Sequence, residues 1–150
     1  MARAVVDGLD DVEVLTDDRN VPYVALTFAD KAVPAALQGD GVHALLRLCL
    51  ELAAEPGGLV LIEEPEIHQH PAAIQQTVKA VIAAVSRGVQ VVLSTHSLDV
   101  IDAIVAEADD DILTNLSLHR LRLDAGELFT SRLSGEDVTL SRTQIEDDLR

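Results

Sequence analysis

Aromatic side chains are scarce in this sequence: one tyrosine, two phenylalanines and no tryptophan among 150 residues. A core must therefore be built from Leu, Val, Ile and Ala, a composition that suits buried parallel strands covered by helices. Cysteine occurs once, at Cys49, which excludes a disulfide framework and a cysteine metal cluster. No apolar run approaches the roughly 20 residues that span a bilayer, and the first ten residues lack a signal-peptide pattern. Bases are few as well: 11 Lys and Arg stand against 26 acids, a net charge of −15. Such a surface repels phosphate backbones and argues against direct nucleic-acid binding by this segment, although a partner could supply a basic surface. The expectation is a soluble, cytoplasmic, acidic protein with no membrane contact and enough length for one domain.

What is present falls into short, well-punctuated elements. Residues 12–15 and 21–28 are β-rich runs on either side of Thr16-Asp17-Asp18-Arg19-Asn20, a hairpin-like break. Pro34 and the turn Gln38-Gly39-Asp40-Gly41 close that region. From residue 42 to 54 the apolar side chains Val42, Leu45, Leu46, Cys49 and Leu52 fall at helical spacing, and Glu55-Pro56-Gly57-Gly58 stops the helix. Residues 59–62 form an unbroken apolar run that ends in Glu63 and Glu64. Pro71 suits the first position of a second helix, with Ile74, Val78, Val81, Ile82 and Val85 on one face and Gly88 as its stop. A second unbroken run, 89–93, ends at Ser94-Thr95-His96-Ser97, and Ser97 suits the N-cap of a further helix carrying Leu98, Ile101, Ile104 and Val105. Beyond Asp109-Asp110-Asp111, residues 116–123 and 128–133 flank Asp124-Ala125-Gly126-Glu127 as a β-hairpin, followed by a polar short helix or frayed tail.

Residues 59–93 thus read as strand–helix–strand, a crossover that makes the two strands parallel. In open parallel sheets, ligands sit outside the carboxyl ends of the strands. Here those ends carry Glu63-Glu64-Pro65 and Ser94-Thr95-His96. Neighbouring strands lie about 5 Å apart, so two carboxylates and an imidazole would share one rim. Successive strand residues point to opposite faces, so Glu63 and Glu64 are expected to do different jobs. One can hold Mg²⁺, which takes oxygen ligands and keeps several waters. The other can orient or deprotonate a water attacking phosphorus, while His96 donates to the terminal phosphate. The plain alternative is that the two glutamates end a strand in solvent and that His96 is a surface histidine.

The stretch Leu59-Val60-Leu61-Ile62-Glu63-Glu64-Pro65-Glu66-Ile67-His68-Gln69-His70-Pro71 resembles the Walker B segment of ABC-class ATPases of the overcoming-lysogenization-defect (OLD) and related AAA type. Ser94-Thr95-His96-Ser97 resembles their switch motif on the next strand. The resemblance covers residues 37 to 108 and implies an α/β, P-loop NTPase-like C-terminal half. The implied architecture is a largely parallel sheet with flanking helices and a C-terminal β-hairpin. By the same resemblance, Glu63 matches the Walker B acid that supports Mg²⁺, Glu64 the catalytic carboxylate, and His96 the switch histidine at the γ-phosphate. Residues 66–70 fall in the D-loop region, which faces a partner protomer. Gln38-Gly39-Asp40-Gly41 resembles the signature motif, whose helix N-terminus meets ATP bound by the other subunit. Gln38 stands where serine is usual, and a simple turn remains an open reading. His68 and His70 beside Glu66 could suggest a metal site, with loop or dimer-surface histidines as the other reading.

No G-x-x-x-x-G-K-[ST] phosphate loop occurs in these 150 residues: of the two lysines, Lys31 follows Asp30 and Lys79 follows Val78. The resemblance therefore implies one partial ATPase domain, with residues 1–36 as a β-rich lead-in, 37–108 as the signature-to-switch region and 109–150 as hairpin and tail. It further implies a fragment, one piece of a split ATPase, or a decayed copy, inactive alone. ATP and Mg²⁺ are the implied ligands; a homodimer, or a subunit or segment carrying the phosphate loop, is the implied partner. A non-catalytic interaction module that kept the ATPase fold is the alternative. A metal hydrolase built on Glu64, Glu66, His68 and His70 is a third.

Overall fold

The computed structural model describes residues 8–67, 69–145 and 148–149. The chain opens with an antiparallel sheet in the order β1 (Leu9–Thr16), β2 (Pro22–Phe28) and β3 (Lys31–Pro34). The β1–β2 turn is organised by Asp17, whose Oδ1 accepts from the N–H groups of Arg19 and Val21 at 2.9 and 2.8 Å. Asn20 takes the left-handed conformation there (φ 61°), which short polar side chains tolerate. The expected hairpin is present. The third strand was not expected, because four residues ending in proline give little strand signal.

After one 3₁₀ turn (Ala35–Leu37), α1 spans Asp40–Ala54, two residues earlier than the apolar spacing suggested. The parallel unit follows: β4 (Leu59–Glu63), α2 (Pro71–Val85) and β5 (Gln90–Ser94), then α3 (Leu98–Glu107). Its strands pair in parallel, from Leu59 opposite Gln90 to Glu63 opposite Ser94. Pro71 occupies the start of α2, as its fixed φ favours. Gly88 (φ 87°) ends that helix: its N–H donates to Val85 O and the N–H of Val89 to Ala84 O, the paired bonds of a Schellman motif. That closure turns Val89 into the core, 2% exposed, and delays β5 by one residue relative to expectation.

Four apolar clusters are joined by the helices. α1 puts Leu46 against Leu9, Leu26 and Ala35 of the first sheet, and Leu45, Cys49 and Leu52 against Ala80, Val81 and Ala84 of α2. The other side of α2, Ile74 and Val78, meets Val100 and Ala103 of α3. Ile101 of α3 meets Val138, Leu118 and Leu133. Burial pushes the Cys49 thiol up from its ordinary value, so it behaves as a small inert hydrophobe.

Two expectations need correction. Among the described residues the parallel part of the fold is two strands, and the other two sheets, β1–β2–β3 and the hairpin β6 (Ser117–Asp124)–β7 (Glu127–Ser134), are antiparallel. Nor are the parallel strands buried on both faces. Val60, Ile62, Val91 and Leu93 pack inward, whereas Leu59, Leu61 and Val92 are 57%, 73% and 53% exposed. Helices cover one side of this pair; among the described residues nothing covers the other, where Leu59, Leu61 and Val92 stand beside Glu63, Gln90 and Ser94.

A short helix, α4 (Asp110–Asn115), precedes the hairpin, and α5 (Gly135–Leu140) follows it. Asp109 caps α4 through Ile112 N–H, and Ser134 and Asp137 form a reciprocal capping box on α5. The hydrogen bonds from Ser134 hold the Asp137 carboxyl below its ordinary range. At Gly135 an added Cβ would lie 2.9 Å from the Leu113 carbonyl carbon and 3.1 Å from its Cα, backbone that cannot swing aside. Gly135→Ala is therefore expected to cost about 1–3 kcal/mol, the range for overpacking. Urea denaturation measures this, and an unchanged midpoint would show that α4 and α5 are not held together there.

Candidate functional site

The candidate site is the carboxyl rim of β4 and β5. The parallel register sets Glu63 beside Ser94, and the N–H of Glu64 continues the ladder by donating to Ser94 O at 2.9 Å. Glu63 ends the bare-face series Leu59, Leu61, Glu63, and its side chain is exposed. Glu64 leaves the strand with φ 44°, a left-handed conformation unusual for a side chain of this size. The outcome is that the two glutamates separate, as strand alternation suggested, but through a sharp turn rather than a continued pleat.

The Glu64 carboxylate turns to the segment after β5: its Oε1 lies 3.3 Å from Nδ1 of His96. Both groups stay open to solvent, with side chains 39% and 70% exposed. Glu66 behaves differently. Its side chain is only 8% exposed, and its Oε1 accepts from the Thr95 hydroxyl at 2.6 Å and from the His96 N–H at 3.2 Å. Thr95 Oγ1 in turn accepts the Ser97 N–H at 3.0 Å. Glu66 Oε2 is buried without a hydrogen-bond partner among the described residues. An unsatisfied buried acceptor of this kind costs about 1–3 kcal/mol, more when charged. Glu66, Gln69, Ile74, His96, Leu98 and Asp99 line an open cleft of about 450 Å³ at this rim.

The structure thus brings Glu64 and His96 together and adds Thr95 and Glu66; sequence reasoning gave Thr95 no separate role and placed Glu66 in the partner-facing segment or a metal set, not against residues 95 and 96. The segment containing Glu66 was expected to face a partner protomer; Glu66 itself is turned inward, because its acceptor oxygen meets the donors of residues 95 and 96. The chemical signal was a carboxylate and a hydroxyl at the ends of strands already expected to be neighbours. Ser97 does precede α3, but its side chain makes no capping bond. His70 caps α2, accepting the Ala72 N–H on Nδ1 at 3.2 Å. Among the described residues no group of three or more His, Cys, Asp or Glu could hold a metal ion, and His68 lies outside them. The Glu64–Glu66–His68–His70 metal reading includes His68, which lies outside the described residues; of its other members, Glu66 Oε1 is bonded to residues 95 and 96 and His70 Nδ1 caps α2.

Gln38 and Gly39 lead into α1, with Gly39 at the N-cap in extended conformation and no side chain capping the first turn. Asp40 and Gly41 already belong to the helix, so only half of the expected turn lies outside it. The carbonyl of Gly39 accepts from Val42 and His43 N–H. This helix end is displayed at the surface, with Gly39 and Asp40 exposed.

With this geometry in view, the likenesses to other proteins are informative. An SMC ATPase structure from work on ATP-driven dimerization and DNA-stimulated activation superposes with a TM-score of 0.63 at 17% identity, covering 95% of this chain and 84% of that one. An Smc head bound to the C-winged helix domain of ScpA gives 0.61 at 15% identity, covering 87% of this chain and 39% of that one. The Smc head from Pyrococcus furiosus with an extended coiled coil, bound to the C-terminal domain of ScpA, gives 0.59 at 14% identity, with 95% and 35% covered. The fold is that of the C-terminal part of an ABC-class P-loop ATPase. Residues 2–102 match the family described as "AAA domain, putative AbiEii toxin, Type IV TA system", and the chain belongs to that family. A further relative is the uncharacterised protein MJECL11 of Methanocaldococcus jannaschii, 30% identical over 113 residues, which are 75% of this chain and 98% of that one.

The left-handed turn at Glu64 has a measurable consequence. A β-carbon in that conformation costs about 1–2 kcal/mol, which glycine avoids, though glycine loses about 0.5–1 kcal/mol in chain entropy. Glu64→Gly is therefore expected to be more stable than Glu64→Ala, by up to about 1 kcal/mol in urea unfolding. The reverse order would show that the turn carries no strain.

Proposed function

We propose that this chain is the part of an ABC- and OLD-like ATPase that supplies the hydrolytic carboxylate, the switch histidine and a signature-like helix end to an ATP site. The phosphate loop of that site comes from another segment or subunit. One observation carries the reading: Glu64 and His96 leave the ends of adjacent parallel strands and meet within 3.3 Å. A carboxylate on an otherwise open rim can accept a hydrogen bond from water and take its proton as the water attacks phosphorus. In its protonated, imidazolium form His96 can also donate from the nitrogen not facing Glu64 to the terminal phosphate. Holding both groups on one rim limits their relative motion, which is how positioning lowers such a barrier.

The residues present also suit a hard divalent cation. Glu63 offers an exposed carboxylate at the strand end, with Ser94 opposite it in register. Mg²⁺ commonly takes only one or two protein oxygens and fills its remaining positions with water and phosphate. When bound, it would neutralise charge on the phosphate oxygens. The exposed Gly39–Asp40 start of α1 is suited to meet the nucleotide of a second protomer, since unpaired helix N–H groups favour anions. A net charge of −15 remains unfavourable to nucleic-acid contact by these residues themselves.

The bare face of β4–β5 supports completion by another segment, because exposed Leu59, Leu61 and Val92 run directly to the Glu63 rim. The same bare face also favours the second reading, a non-catalytic docking module.

One experiment separates the two. Co-expressed with a protein carrying the phosphate loop, the complex is expected to hydrolyse ATP with Mg²⁺. Glu64→Gln is expected to lower kcat by about 100-fold or more while nucleotide stays bound, the loss typical of a missing general base. Turnover equal to the unmodified complex would remove Glu64 from the chemistry. Assembly without any ATPase activity, unchanged by Glu63→Ala or His96→Ala, would establish the docking role instead.

A further inference from the structure

Glu66 is the most buried carboxylate at the rim and the one whose bonds reach furthest. Its Oε1 holds two donors from consecutive residues, the hydroxyl of Thr95 and the N–H of His96. Through Thr95 Oγ1 the connection extends to the N–H of Ser97, the residue before α3. One oxygen atom thus ties the turn after β4 to three residues after β5. The ladder stops supporting this segment: the last paired residues are Glu63 and Ser94, with one more bond from Glu64 N–H to Ser94 O. Beyond Ser94, the hydrogen bonds to Glu66 and within residues 95–97 fix the backbone that carries the His96 imidazole.

The second oxygen supports the same conclusion. Glu66 Oε2 is buried and lacks a hydrogen-bond partner among the described residues, and Glu66 lines the adjoining cleft. The carboxylate keeps its place because Oε1 is engaged. We infer that Glu66 is a positioning residue, a clamp that locks Thr95–His96–Ser97 to the Glu64 turn and so sets where His96 stands relative to Glu64. The role in hydrolysis rests on the ATPase reading; the clamp itself does not.

The clamp is tested first in the chain alone, by amide hydrogen exchange followed by NMR. Glu66→Ala is expected to speed exchange at His96 and Ser97 by about tenfold or more, while amides of the β4–β5 ladder keep their rates. Glu66→Gln keeps an oxygen that accepts the same two donors and is expected to restore slow exchange. Thr95→Val, nearly the same size, removes the hydroxyl; it is expected to release Ser97 while His96 N–H stays bonded to Glu66. This variant decides the matter if Glu66→Ala fails to fold. Unchanged exchange at His96 and Ser97 in the folded variants overturns the clamp. So does a folded Glu66→Gln that exchanges as fast as Glu66→Ala, since charge rather than the acceptor would then matter.

The second arm uses the complex with a phosphate-loop protein. Glu66→Ala is expected to lower kcat about tenfold with KM nearly unchanged, and Glu66→Gln to recover it, the pattern of a misplaced transition-state contact. Wild-type kcat in Glu66→Ala, in a complex where Glu64→Gln is inactive, would overturn positioning and leave the ATPase reading intact. If no complex hydrolyses ATP, that reading fails, and the exchange pattern still decides the clamp.

Discussion

The pairing of two five-residue strands, with Glu63 opposite Ser94, determines what else this molecule can do. A parallel pair cannot be closed by a tight turn; it needs a crossover, here α2, which packs back against one side of the strands. Because both strands run the same way, their carboxyl ends fall on one rim, and the residues that follow them are forced together. An antiparallel pair of the same sequences would have put Glu64 and His96 at opposite ends. The 3.3 Å approach of these groups is therefore a consequence of chain direction before it is a matter of side-chain chemistry.

That pairing is steadied from one side only. α1, α2 and α3 form a relay in which each helix shares apolar contacts with the next, from the first sheet through Cys49 and Ala84 to Val100 and Val138. The relay fixes the inward residues Val60, Ile62, Val91 and Leu93, and with them the height of the rim. Nothing equivalent covers Leu59, Leu61 and Val92 among the described residues. A parallel pair with one uncovered face is uncommon, since such strands ordinarily sit between two layers. The superpositions match 87–95% of this chain, against 84% of one SMC ATPase chain and little more than a third of the two Smc head chains.

Much of this was legible in the sequence, for physical reasons that can be named. Pro71 and Gly88 bracket α2 because one fixes a helical φ and the other accepts a positive one. The unbroken runs at 59–62 and 89–93 marked the two strands, and their charged or polar ends marked the rim. The same runs misled on burial, because an apolar residue at every position cannot say which face is covered. Periodicity starts α1 at its first apolar residue, Val42, whereas the backbone starts it at Asp40. β3 was missed because Pro34 obscures it. The inward turn of Glu66 and the cap by His70 were not legible, since both depend on which donors the fold brings near, not on local pattern.

Local rules hold through most of the described residues, and two departures fall together at the rim. α4 and α5 are capped, α2 ends in a glycine-closed motif, and the hairpin turn at Ala125 and Gly126 takes the positive φ pair that suits twisted strands. At the rim, Glu64 adopts a backbone conformation that costs energy and Glu66 buries an oxygen without a partner. These two departures lie within three residues of each other and both act on His96. An energetically unfavourable turn persists only where surrounding contacts over-determine it, and here the contacts are identifiable: Glu64 N–H bonded to Ser94 on one side, and Glu66 bonded to Thr95 and His96 on the other. The strain and the clamp are thus two sides of one arrangement. Releasing either would let the segment relax, and would also let the imidazole drift from the carboxylate it faces.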